Sequence, residues 1–322
     1  NAPSGVVGTP GNGVVVVSWT APFNGGASIT DYVVQYSSDS GLNWTPFADG
    51  TSTSTSATVT GLTNGTSYLF RVAAVNVAGT GAYGQSAAVT PRTVANAPSG
   101  VVGTPGNGVV VVSWTAPFNG GAAITDYVVQ YSSDSGLNWT PFADGTSTST
   151  SATVTGLTNG TSYVFRVAAV NVAGTGAYGQ SAAVTPRTVA GAPTSVAGVP
   201  GDGQVVVSWA APFNGGAAIT DYVVQYSSNG GTSWTPFADG TSTSTSATVT
   251  GLTNGTSYVF RVAAVNVAGT GAYGQSAAVT PRTVAGSPTA VVGNPGNGQV
   301  VVSWVAPASN GGASITDYVV QY

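Results

Sequence analysis

The sequence predicts an all-β chain built from tandem β-sandwich domains. Three observations carry that expectation. The chain repeats itself with a period of 95 residues. Its apolar residues alternate at period two, and no stretch shows a helical period. Its apolar runs are short and punctuated by Gly, Pro, Asn and Ser clusters.

The copies run 1–95, 96–190 and 191–285, and a fourth begins at Gly286 and reaches Tyr322. The first two differ only at Ser28 against Ala123 and Leu69 against Val164. The third diverges mainly in its opening stretch and at Asn229–Ser233, and the fourth carries one inserted residue near Ala308–Asn310. A period of this length exceeds a solenoid unit and suits a self-contained domain.

Within one copy, strands are expected near Gly5–Gly8, over Val14–Trp19 and over Ile29–Tyr36. Val15, Val17 and Trp19 share one face of the second; Tyr32, Val34 and Tyr36 share one face of the third. Pro22 and Asn24-Gly25-Gly26 separate these two strands. Trp44–Phe47 and Ala57–Val59 are short. Tyr68–Val75 puts Tyr68, Phe70, Val72 and Ala74 inward, and Ser86–Thr90 closes the set. Seven short strands in such a length is the arithmetic of a sandwich. The fragment 286–322 supplies three of them.

Several segments then carry a family likeness. Val17-Ser18-Trp19-Thr20-Ala21-Pro22, Ile29-Thr30-Asp31-Tyr32-Val33-Val34-Gln35-Tyr36, Leu62-Thr63-Asn64-Gly65-Thr66-Ser67-Tyr68 and Asn76-Val77-Ala78-Gly79 together resemble fibronectin type III domains. The resemblance implies a seven-stranded Greek-key sandwich of the fibronectin type III/immunoglobulin-like kind, without disulfides. It also implies a tyrosine corner at Tyr68 and no particular activity. Beads of this fold joined by Pro91-Arg92-Thr93-Val94-Ala95-Asn96-Ala97-Pro98, stiffened by proline at both ends, are expected to form an extended rod.

Composition excludes much. Only 5% of residues are charged and the net charge is -4, which argues against nucleic acid and anionic membranes. No apolar run is long enough to span a membrane. With no His, Cys, Lys or Glu, the chain lacks the usual acids, bases and nucleophiles, so no enzyme activity and no cofactor are expected. Zinc and copper are excluded on the same ground. Calcium would need Asp39 and Asp49 to converge with loop oxygens, and the third copy has Asn229 in place of Asp39. Chains free of Cys, Met and Lys, with tryptic sites only at six arginines, suit long exposure outside a cell.

Candidate contact residues remain. Tyr83, Tyr178 and Tyr273 sit in a segment of small residues, read as a loop that either contacts sugar or protein or packs on its own domain. Val14, Val16, Val33 and Leu69 are expected to face outward with Ala73, forming an apolar stripe for self-association. Asn43, Asn64, Asn138, Asn159 and Asn254 are glycosylation sequons. Asp31 is expected to pair with Arg71 across strands.

The function these readings support is an extracellular or cell-surface structural protein: a stalk, filament or adhesin segment of bacterial or archaeal type. A polysaccharide- or surface-protein-binding array and a passive spacer in a secreted enzyme are the alternatives.

Overall fold

The computed structural model describes all residues, Asn1–Tyr322, and contains strands but no helix. The chain divides into two compact units. The first comprises Asn1–Thr104, Val110–Thr155 and Ser162–Val184; the second comprises Pro105–Val109, Gly156–Thr161 and Thr185–Tyr322.

The first repeat shows how each domain is built. Its strands are β1 (Ser4–Pro10), β2 (Val15–Thr20), β3 (Asp31–Ser37), β4 (Thr45–Phe47), β5 (Ser56–Val59), β6 (Leu69–Asn76), β7 (Gly79–Thr80) and β8 (Gly84–Gln85). One sheet has the order β1-β2-β5; the other has β4-β3-β6-β7, with β8 also paired to β6. The chain therefore crosses between sheets after β2, β4 and β5, as a sandwich with Greek-key connections requires.

The expected inward faces are the core. Val15, Val17 and Trp19 from β2 meet Tyr32 and Val34 from β3 and Phe70, Val72 and Ala74 from β6, closed off by Val6, Val59 and Leu62. Trp19 and Tyr32 stack edge-on at 5.2 Å between centroids. The third repeat, in the second unit, has the same cluster around Trp209, Tyr222 and Phe260. Valine dominates because a β-branched side chain, already stiff at χ1, packs well against its neighbours on a pleated surface.

Two expectations about strands are corrected. Ser86–Thr90 is not a strand; Val89 makes only an isolated bridge to Tyr68. The last strand lies earlier, at Gly174–Gln180 and Gly269–Gln275 in the second and third repeats. Its sequence, Gly-Thr-Gly-Ala-Tyr-Gly-Gln, has no apolar alternation to reveal it. The glycine at its end is required, since a Cβ on Gly84 would lie 2.0 Å from the carbonyl oxygen of Pro3. The fourth copy forms two strands, Thr289–Gly296 and Gln299–Val305, rather than three. The stretch Ile315–Tyr322 corresponds to β3, which in a complete repeat bonds to both β4 and β6. The fragment carries neither partner.

Candidate functional site

The outward face of the larger sheet carries a stack of three side chains. Arg71 faces Gln35 across β3 and Gln85 across β8. Its Nε donates to the Gln35 Oε1 at 2.7 Å. The guanidinium carbon lies 4.3 Å from the ring centre of Trp44 and 4.3 Å from that of Tyr83. Arg166 is held likewise between Trp139 and Tyr178, and Arg261 between Trp234 and Tyr273. Gly41 backs the indole of Trp44, since a Cβ there would stand 3.4 Å from it. The stack thus ties the β4 edge to the opposite edge of the sheet, with the positive charge over negative ring faces.

The segments following each domain make a second recurrent site. In the first unit, the Thr93 N–H donates to the Gly120 carbonyl at 2.8 Å and the Asn96 N–H to that of Phe118 at 2.9 Å. The Asn171 Nδ2 donates to the Thr93 carbonyl at 2.9 Å. In the second unit, Thr188 bonds Gly215, Gly191 bonds Phe213, and Asn266 bonds the Thr188 carbonyl, again at 2.8, 2.8 and 2.9 Å. Thr283 bonds Gly311 and Gly286 bonds Ser309 at the start of the fourth copy. Ala190 belongs to the core cluster of the repeat that follows it. A Cβ on Gly120 would lie 2.2 Å from the Thr93 oxygen, and one on Gly121 would lie 2.3 Å from the Gly65 nitrogen. The Asn-Gly-Gly loop therefore lets two backbones touch where no other residue type fits.

One local device narrows the family, and a domain profile then decides it. The Thr63 N–H donates to the Tyr68 hydroxyl at 3.1 Å, and Thr253 does the same to Tyr258. This is the tyrosine corner of such sandwiches. The fibronectin type III domain profile matches residues 1–91, 96–186 and 191–281. The chain belongs to the fibronectin type III family. It is 32% identical to human Myomesin-2 over 227 residues, covering 66% of this chain and 15% of that protein. It is 30% identical to the chicken striated-muscle M-protein over 286 residues, covering 84% of this chain and 20% of that one. It is 32% identical to rat Neogenin over 169 residues, covering 50% of this chain and 12% of that protein. The chain thus spans a fifth or less of the length of these relatives. A solved structure, of chicken CNTN1 FN1-FN3 domains, matches at TM-score 0.34 and 20% identity over 87% of this chain and 99% of that one.

Within these fibronectin type III domains the expected contact residues are dispersed. Tyr83 lies between β7 and β8, and Tyr178 and Tyr273 lie within strands rather than on a loop; each ring is about a third exposed and stacked on its own domain's arginine. Val16 is exposed on the smaller sheet, Val14 lies just before it in the turn, and Val33 and Leu69 are half-buried on the larger sheet. The four belong to opposite faces of the sandwich and do not form one stripe. Ala73, expected to face solvent, is fully buried. The equivalent Ala168 lies directly opposite Tyr178 in the ladder.

Asp31 does not pair with Arg71. It sits opposite Val75, and its Oδ1 accepts the Ser52 N–H at 2.9 Å. Asp39 has both oxygens engaged, by the Ser37 hydroxyl and the Asn43 N–H on Oδ1 and by the Asn43 amide on Oδ2. These bonds, that of the Asn43 N–H foremost, pull its pKa down to about 2. Burial pushes the Asp49 carboxyl up instead, with Asp31 adding repulsion. Among the sequons, Asn43 and Asn138 are exposed while bonded to Asp39 and Asp134. Asn64, Asn159 and Asn254 form clasps. Each accepts a glycine N–H, from Gly13, Gly108 or Gly203, and donates to a neighbouring side chain. The arginine stack and the Asn-Gly-Gly docking loop escaped the sequence reading. The recurrence of Trp, Arg and Tyr at fixed spacing was the available signal for the first.

Proposed function

We propose that this chain is a structural and adhesive segment working outside a cell, in which clamped fibronectin type III domains build a rod that presents its surfaces to protein partners and to other copies. The observation that carries this reading is the junction repeated at Thr93, Thr188 and Thr283, with the same pair of backbone bonds each time. A flexible spacer has no need of a glycine pair that admits the preceding domain at backbone contact distance. The arginine stack supports a protein-facing role over a polysaccharide-binding one, because one face of Trp44 and one face of Tyr83 are occupied within the domain by Arg71. Sugar recognition on a sheet needs such faces free.

Small-angle X-ray scattering on chains carrying increasing numbers of repeats tests the rod. The maximum dimension is expected to grow by roughly 30–40 Å per domain, the length of its strands. Growth that stalls after the second domain would refute it.

A further inference from the structure

The second and third repeats contain six Asn-Gly pairs, and the structure treats them unequally. In such a pair the glycine nitrogen can attack the asparagine Cγ and close a cyclic imide, because glycine has no Cβ to crowd the ring. The reaction needs that nitrogen free. The Gly108 N–H is held by the Asn159 Oδ1 at 2.8 Å, and the Gly160 and Gly255 N–H groups by the Pro186 and Pro281 carbonyls at 3.0 Å. Gly120 and Gly215 are buried under the segment that precedes their repeats. Asn229-Gly230 has neither protection. Both residues are exposed, the Gly230 N–H meets no acceptor, and a Cβ on Gly230 would have nothing within 4 Å.

We propose that Asn229 is a self-modification site, which cyclises onto the Gly230 nitrogen and is converted to aspartate and isoaspartate. The bond from the Gly230 nitrogen to Cγ forms, and the N–H proton passes to hydroxide. The Cγ–Nδ2 bond breaks, and the nitrogen takes up a proton and leaves as ammonia. Water then opens the imide at either carbonyl, with no change of oxidation state. The loop already polarises the amide. Its Oδ1 accepts the Ser227 hydroxyl at 2.8 Å and the Ser233 N–H at 3.0 Å, two donors placed where negative charge develops. Its Nδ2 donates to the Ser233 Oγ at 2.8 Å, a hydroxyl able to pass a proton to the leaving nitrogen. The aspartyl product has a seat prepared. The first two repeats carry Asp39 and Asp134 here, each accepting a serine hydroxyl and the N–H four residues on in the same way. The isoaspartyl product adds a methylene to a loop whose Gly231 backs Trp234, so it should loosen the Arg261 stack in this domain alone.

The test incubates the folded chain in mildly alkaline buffer and follows the amide-to-acid mass increase at each asparagine by peptide mapping with tandem mass spectrometry. Asn214, Asn229 and Asn254 fall in one tryptic peptide, Thr188–Arg261, and share every handling step. Asn229 should convert at least about tenfold faster than the other two, whereas in urea all three should convert within about threefold of one another. Equal rates in the folded chain would overturn the proposal. A product that is aspartate alone, without an excess of isoaspartate, would mean direct hydrolysis and overturn it too. Gly230→Ser installs at φ 70° the residue that Ser40 and Ser135 place here at 62°, so the loop keeps its conformation. That variant should bring Asn229 down to the Asn254 rate with the melting temperature unchanged. An undiminished rate would remove Gly230 from the reaction and the proposal with it.

Discussion

The guanidinium of Arg71 lies 4.3 Å from the ring centre of Tyr83, with Trp44 at the same distance on its other side. That relationship explains how the larger sheet keeps a last strand that, apart from one tyrosine, is made of glycine, alanine, threonine and glutamine. The strand has little apolar area of its own to bury. The tyrosine supplies it, and the arginine connects it through β6 to the tryptophan beyond the other edge.

Replacing the arginine with lysine at all three copies, R71K, R166K and R261K, should therefore destabilise each domain by about 1–2 kcal/mol. Lysine keeps the charge but loses the planar stacking and the Nε bond to glutamine. Urea unfolding followed by tryptophan fluorescence measures it; an unchanged midpoint would show that the stack contributes nothing.

Much of the fold was legible because the large core side chains obey a period-two rule: Val15, Val17, Trp19, Tyr32, Val34, Phe70 and Val72 all point where alternation places them, and the small Ala73 is the exception. The final strand was illegible because close backbone approach selects glycine at Gly84, and glycine erases the pattern. The docking loop was illegible for a related reason. Asn24-Gly25-Gly26 looks like an ordinary turn, and only the contact made by Gly120 and Gly121 separates turn from interface. Opposite charges on outward faces of neighbouring strands suggest an Asp31–Arg71 pair, whereas register sets Arg71 opposite Gln35.

The chain contains its own control for that interface. Gly25 and Gly120 have the same sequence neighbours and φ values of 70° and 71°, but a Cβ meets nothing at Gly25 and the Thr93 oxygen at 2.2 Å at Gly120. Gly25→Ala should cost only the left-handed backbone penalty, about 1 kcal/mol. Gly120→Ala should add loss of the junction. Hydrogen exchange at the Thr93 and Asn96 amides should rise at least about tenfold in the second variant and not in the first. Equal exchange in both would remove the glycine from the interface.

Limited trypsin digestion should cut first after Arg282. Arg71, Arg166 and Arg261 lie within ladders, and Arg92 and Arg187 are half-buried, whereas Arg282 is exposed. Val284 beside it is 86% exposed, against 36% for Val94. Early fragments ending at Arg92 or Arg187 would contradict this order.

Ser195 stands at φ 54° where the first two repeats place Gly5 and Gly100 at 58° and 60°. The position is a bulge at the start of the first strand, with a register shift between Thr194 and Ala197. Ser195→Gly should stabilise the third domain by about 0.5–1 kcal/mol, relief of left-handed strain outweighing the added freedom of the unfolded chain. Scanning calorimetry resolves the shift, and a lower melting temperature would show that Ser195 makes a compensating bond.

Acid should affect the domains unequally. A carboxylate whose folded pKa is depressed adds stability above its ordinary pKa and loses it as pH falls toward the folded value. Asp39 and Asp134, drawn from the usual 3.8 to about 2 by the bonds from Asn43 and Asn138, act in that window. Asp49, Asp144 and Asp239 shift the other way through burial, so their protonation relieves a cost and opposes the loss. The third domain has Asn229 in the loop, bonded to Ser227 and Ser233 without a charge. The D39N/D134N double variant should therefore lose less melting temperature between pH 4 and pH 2 than the parent chain, with the third domain's transition unmoved. A parent and variant that decline in parallel across that interval would show that the Asp39 loop contributes no pH-dependent stability.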